Sequence, residues 1–121
     1  MPRFVVLRHD HPALHWDLML DAGAALWTWR LEHPPRAGQE QAAERIGDHR
    51  SIYLDYEGPV SGGRGEVRRE AAGQFEWLAR EEGKVVVRLD APGLTGVLTL
   101  TAGGAGWTAH FDAGRGSADS P

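Results

Sequence analysis

Cysteine is absent from this chain. Without thiols there is no disulfide framework and no thiolate metal site, so any metal must be held through nitrogen and oxygen. Long apolar runs are also lacking. No stretch approaches the roughly 20 residues of a membrane span, and the N-terminus shows no charged-then-apolar leader pattern, so a cytoplasmic location is the expectation. Lysine is almost missing: Lys84 stands alone beside twelve arginines. The net charge of −4 excludes the global basic field that drives non-specific DNA binding. No serine sits in a nucleophile-elbow context and no dinucleotide fingerprint occurs. Ser61-Gly62-Gly63-Arg64-Gly65 is glycine-rich but lacks the Gly-Lys-Ser/Thr ending of a phosphate loop. The residues after it are strand-like, with no helix N-terminus to receive an anion.

What the chain does contain is a set of short strand-like runs. The 121 residues, 41% hydrophobic and 25% charged, suit one soluble domain with its own core. That domain is expected over residues 1–111, with a Gly/Ser/Ala/Asp-rich tail at 112–121 expected to be disordered. Strand-like runs are predicted from Arg3 to Arg8, His15 to Leu20 and Ala24 to Leu31. Further runs cover Gly65 to Glu70, Gly73 to Arg80, Lys84 to Asp90, Leu94 to Thr101 and Gly106 to Phe111. Turn-formers separate them, among them Asp21-Ala-Gly23, Ala72-Gly73, Glu82-Gly83, Pro92-Gly93 and Gly103-Gly104. Such spacing predicts an all-β fold, an antiparallel barrel or a sandwich. Gln39 to Ile46 (QEQAAERI) is the one stretch with helical propensity.

Half of the six histidines fall within seven positions, in HDHPALHWDL. Along His15 to Leu20 the residues alternate, so His15 and Asp17 project from one strand face and Trp16, Leu18 and Leu20 from the other. The apolar row is expected inside and the polar pair outside or at the rim. With His9 six residues earlier, across a short connection, the three could close a facial site for a divalent metal such as zinc or manganese, with positions left open for water and substrate. His11 precedes Pro12 in the connection itself and ranks below the other two. Three surface histidines near a turn is the competing reading.

A second cluster is Asp48-His49-Arg50 followed by Tyr53. A histidine beside an arginine and near a phenol can grip a phosphate and protonate a leaving oxygen, while an ordinary polar loop explains the same residues without chemistry. The five tryptophans, with Trp27 and Trp29 in phase on one strand, offer either stacking surfaces for bases or core area.

The order of these elements resembles a known family. Phe4-Val-Val-Leu-Arg-His9-Asp10, His15-Trp-Asp17-Leu, Leu26-x-Thr-Trp29, Asp48-His49, Tyr53-x-Asp55-Tyr-Glu57-Gly58 and Gly62 to Val67 are similar to the 3′-phosphoesterase module of bacterial DNA ligase D, the polymerase/ligase N-terminal domain. The resemblance spans about residues 3 to 101. It implies a small antiparallel β-barrel with short flanking helical segments. It also implies a divalent metal, typically manganese, used to trim 3′-terminal ribonucleotides and 3′-phosphates from DNA ends, with a DNA ligase or polymerase as partner and no membrane. Carried over by position, His9, His15 and Asp17 are the implied metal ligands, His49 meets the scissile phosphate, and Tyr53 is its hydroxyl-bearing neighbour.

The sequence departs from the family pattern at the phosphate grip. Met19 stands where the family places an arginine two residues after the strand aspartate. His33 aligns with a lysine, and Gln41 falls near an arginine. Arg8 and Arg50 are the first candidates to take over, with Arg30, Arg45 and Arg64 behind them. If none does, activity is expected to be weak, and replacing Met19 with arginine to raise it. The alternatives to a phosphoesterase are a metal-binding module without turnover, and a metal-dependent hydrolase with another substrate.

Overall fold

The computed structural model describes residues 1–113. Nine strands form one antiparallel sheet: β1 (Arg3–His9), β2 (His15–Asp21), β3 (Leu26–Leu31), β4 (Gln39–His49), β5 (Gly58–Pro59), β6 (Glu66–Glu81), β7 (Lys84–Ala91), β8 (Leu94–Gly103) and β9 (Gly106–Ala113). The strand order is β1-β2-β3-β4-β9-β8-β7-β6-β5, and a further pairing of β1 with β6 closes eight strands into a ring of hydrogen bonds. The sequence expectation of an all-β antiparallel fold is met. The expected flanking helical segments are not: the one helical piece among the described residues is a four-residue 3-10 turn, Ser51–Leu54. No helix among these residues is long and apolar enough to cross a membrane.

Three local expectations are corrected. Gln39 to Ile46 is a strand, because β4 fills the gap between β3 and β9 and pairs with both, which outweighs a short run of helix formers. Ala72-Gly73 is no turn. It lies inside the 16-residue β6, whose first half pairs with β1 and whose second half pairs with β7. One strand thereby joins the two ends of the sheet. Gly73 permits the crossing, since a Cβ there would collide with the Asp90 carbonyl oxygen and the Ala91 side chain. Finally, Asp112 and Ala113 belong to β9, while the rest of the expected tail, 114–121, lies outside the described residues.

The ring has two apolar clusters. The larger draws on all eight ring strands, including Phe4, Leu18, Trp29, Phe75, Val87 and Leu98, and fills the inside. Trp29 is fully buried, and Trp27, Trp77 and Trp107 pack against this core. Arg45 lies over Trp27 and Trp29, and Arg80 over Trp27 and Trp77, at 4.2–4.9 Å from the ring centres. The tryptophans are core and its lid. The smaller cluster lies on the opposite face of the first strands. Val5, Leu7, Met19, Leu26 and Val67 are covered by Leu54, with Tyr53, Tyr56 and Val60 packed alongside. The segment from the 3-10 turn to β6 is thus a flap laid across the outer face of β1-β2-β3.

That flap is fixed by polar ties. Arg3 pairs with Asp55 at 2.5 Å, and Glu57 accepts the backbone N–H of Arg69 at 2.6 Å. Each member of the first pair holds the other in its charged form: the hydrogen bond raises Arg3 above its ordinary pKa and lowers Asp55 below the usual carboxylate value.

Candidate metal centre

β2 carries out the alternation expected of it. Leu18 and Leu20 enter the inner core with Trp16 packed against it, and His15, Asp17 and Met19 take the outer face. The polar pair is not at an exposed rim, however. His15 and Asp17 are 6% and 3% exposed, because the flap covers the face they occupy. A buried carboxylate needs a partner, so burial here raises the question of what neutralises Asp17.

His9 ends β1 and His15 begins β2, and the two are paired in register, which sets their rings 4.8 Å apart, edge to face. Each ring is anchored by the nitrogen that faces away from Asp17. His15 Nδ1 is 2.8 Å from the carbonyl oxygen of Ala13, and His9 Nε2 is 2.8 Å from that of Arg64. A carbonyl only accepts, so both of these nitrogens carry the hydrogen. The nitrogens left with lone pairs, His9 Nδ1 and His15 Nε2, lie 3.9 and 3.3 Å from Asp17 Oδ2. One ligand atom from each residue falls within 4.8 Å of the others.

Three electron-pair donors thus converge with no donor hydrogen between them. His15 Nε2 and Asp17 Oδ1 are buried with no hydrogen-bond partner among the described residues. Leaving such atoms unpaired costs about 1–3 kcal/mol each, a cost that a cation among them removes. Two imidazoles locked in one tautomer by carbonyls, with a carboxylate beside them, is also how metal-ligating histidines are held by their outer neighbours. The residues fit a divalent cation, and the group could bind one.

The connection between the two histidines is tied to the start of β6. Asp10 Oδ1 accepts the backbone N–H of Glu66 at 2.8 Å, which keeps its carboxyl below the ordinary carboxylate range. Gly65, at φ +75°, sits so close to this loop that a Cβ would collide with Asp10 and His11. The peptide bond between His11 and Pro12 is cis.

Next to these three residues is a cavity of about 210 Å³ lined by His9, His11, Pro12, Asp17, Met19, Arg30, His49, Tyr53, Val60, Arg64 and Val67. The structure therefore brings both histidine clusters of the sequence to one place. His49 ends β4 opposite Leu26 of β3. Its Nδ1 donates to the Gly47 carbonyl at 2.9 Å, which leaves Nε2 as the nitrogen able to take or release a proton. Tyr53, on the 3-10 turn, packs edge-on to His49 at 5.7 Å. His11 reaches the cavity wall but is outside the three-residue group.

The arginines are distributed differently from the sequence expectation. Arg8 is exposed on the face of β1 opposite His9, and it does not line the cavity. Arg50 lines a neighbouring cleft of about 190 Å³ with Ile52, Tyr56 and Ser61. Arg45 is spent on the tryptophans. Arg30 and Arg64 are the arginines on the cavity wall. Arg64 is tied back by Nε to the Ser61 carbonyl and by a terminal nitrogen to the Ser61 hydroxyl, at 2.7 and 3.1 Å. Met19 is 2% exposed, within the small apolar cluster. Gln41 and His33 bond each other: the Gln41 amide accepts from the His33 backbone N–H at 3.3 Å and donates to its carbonyl at 2.9 Å.

Comparison with curated proteins gives no match. A family model described as the DNA ligase D 3′-phosphoesterase domain matches residues 7–102, a span holding His9, His15, Asp17, His49, Tyr53 and the flap. On that match over most of its length, the chain belongs to the DNA ligase D 3′-phosphoesterase domain family.

Proposed function

We propose that this protein is a divalent-metal-dependent phosphoesterase that trims phosphate or a terminal ribonucleotide from nucleic-acid 3′ ends. Family membership supports nucleic-acid end processing in general. The observation that carries the finer reading is the convergence of His9, His15 and Asp17 beside a cavity whose wall also holds His49 and Tyr53. A module that only binds metal has no need of a further imidazole and phenol on the same cavity wall, so the arrangement favours turnover.

A divalent cation bound by His9 Nδ1, His15 Nε2 and Asp17 supplies Lewis acidity toward a phosphoryl oxygen; manganese is the ion the family resemblance implies. The protein's own groups do the rest. Hydrolysis of a 3′-phosphate breaks the bond between phosphorus and the 3′ oxygen as water adds to phosphorus, and the departing oxygen must gain a proton. His49, its Nδ1–H committed to Gly47, delivers that proton from Nε2. Tyr53 packs on the imidazole edge and holds the ring toward the cavity. Met19, Val60 and Val67 line the apolar side and limit water.

The test is turnover on a primer–template ending in a 3′-phosphate, and on another ending in one 3′-ribonucleotide, using metal-stripped protein with and without added manganese. Metal-dependent shortening by the wild type, lost in Asp17→Asn and reduced about 100-fold or more in His49→Ala, is the expected outcome. Binding to these ends with no product under any divalent metal refutes turnover and leaves a metal-binding module.

A further inference from the structure

We propose that Arg30 is the residue that grips the phosphoryl oxygens of the ligand in this cavity, whose chemical class is a phosphate monoester or inorganic phosphate dianion. The inference rests on the reading of the cavity given above and adds the group that recognises the anion.

The position of Arg30 follows from the hairpin register. β2 and β3 pair with Asp21 opposite Leu26, which sets Arg30 directly opposite Asp17. Leu26 and Thr28, in phase with Arg30 on the same face, are buried under the flap, so its side chain emerges beside the metal ligands and onto the cavity wall. There the side chain is 37% exposed.

Its donors are unspent. Arg30 Nε is buried and has no hydrogen-bond partner among the described residues. Its ion pair with Asp17 is loose: Nε and Oδ1 are 3.7 Å apart, beyond hydrogen-bond reach. Glu44 stands opposite it on β4 without forming an ion pair. An arginine kept only to neutralise Asp17 would be expected to close on it in a fork with two contacts near 2.8 Å. Arg64, the other arginine of the wall, has turned two of its nitrogens back to Ser61. The free fork in the cavity is that of Arg30.

Charge selects the ligand. Asp17 offsets one of the two wall arginines, Arg30 and Arg64, so a divalent cation leaves the cavity with three uncompensated positive charges, of which one phosphate dianion neutralises two. A planar guanidinium with free N–H groups meets two phosphoryl oxygens at once, which an ammonium does not.

The test uses the full chain loaded with manganese. Inorganic phosphate and a 3′-phosphorylated oligonucleotide are titrated into the wild type, Arg30→Gln, Arg30→Lys and Arg8→Gln, and manganese affinity is measured separately by calorimetry. Thermal melts confirm that each variant folds. Arg30→Gln is expected to weaken phosphate binding by roughly 10- to 100-fold while leaving manganese affinity unchanged or tighter, since a cation beside the metal has been removed. Arg30→Lys should recover part of the loss, and Arg8→Gln should match the wild type. Three outcomes overturn the assignment: no phosphate binding by the wild type, equal binding by Arg30→Gln, or a loss of phosphate that merely tracks a loss of manganese. Arg30-dependent phosphate binding without any cleavage of the oligonucleotide keeps the assignment and removes the phosphoesterase reading. Cleavage that Arg30→Gln does not alter does the reverse.

Discussion

The His9 imidazole hands its Nε2 hydrogen to the backbone carbonyl of Arg64 across 2.8 Å, so a residue in the flap decides which nitrogen of a residue on β1 faces Asp17. Ligand orientation and flap position are therefore one property. Gly65 is where both can be disturbed, being in a left-handed conformation against Asp10 and His11. Gly65→Ala is expected to displace the Arg64 carbonyl and to lower manganese affinity about 10- to 100-fold, the range found when outer partners of metal ligands are lost. The fold should weaken by about 1–2 kcal/mol from the strained φ. Calorimetry and a thermal melt on the same variant read the two effects. Unchanged metal affinity in a folded Gly65→Ala protein would separate the flap from the site.

Asp17→Asn keeps the shape but removes the carboxylate that faces both histidines and, 3.7 Å away, the buried Arg30 Nε. It is expected to abolish manganese binding and to lower apoprotein stability, since Arg30 loses its counter-charge. For the wild type, manganese at 100 times its dissociation constant should add about 2.7 kcal/mol to stability, and a chelator should remove it. The increment should shrink as pH is lowered, because protons compete with the metal for the imidazole nitrogens. Equal stabilisation of Asp17→Asn by manganese would place the ion elsewhere.

Met19→Arg, expected from sequence to raise activity, has a different forecast once its surroundings are known. At 2% exposure among Val5, Leu7, Leu26, Leu54 and Val67, a guanidinium would lose most of its hydration to apolar side chains. We expect a loss of roughly 2–4 kcal/mol of stability and no gain in phosphate affinity. Chemical denaturation and a phosphate titration give both answers. A stable variant with stronger phosphate binding would mean that position 19 opens to the cavity more freely than its packing shows.

Asp10 gives the fold an acid-sensitive tie. Its carboxyl is lowered by the Glu66 N–H, so the folded state holds the charged form more tightly than the unfolded chain does. The contribution is complete above the ordinary carboxylate pKa of about 4 and fades as pH falls through the lower, folded value. Asp10→Ala should therefore be less stable than the wild type at pH 7, with the difference narrowing in acid. A gap that is constant with pH would assign the effect to lost packing.

The hairpin from β2 to β3 shows what can be read in the sequence and what cannot. Alternation from His15 to Leu20 marks which side chains share a face, and the same-phase His15 and Asp17, with His9 close by, mark the metal group. Arg30 is within reach of the same logic. A connection of residues 22–25 fixes the pairing, and it puts Arg30 against Asp17. Arg8 and Arg50 look nearer because they adjoin histidines in the chain, but Arg8 points to the face of β1 opposite His9, and Arg50, past the end of β4, lines a neighbouring cleft. β4 is hidden because Gln39 to Ile46 are helix formers whose pairing partners, β3 and β9, lie far apart in sequence. The burial of the site is hidden for a similar reason. Nothing local to His15 announces that Leu54, Tyr53 and Val60 will close over it.

The most direct measurement of the central claim is anomalous diffraction at the manganese edge from crystals of the manganese-soaked protein. One strong peak is expected, bounded by His9 through Nδ1, His15 through Nε2 and a carboxylate oxygen of Asp17, beside the cavity that His49 lines. A peak that engages His9 through Nε2, lies away from these three residues or is missing at saturating manganese would contradict that claim.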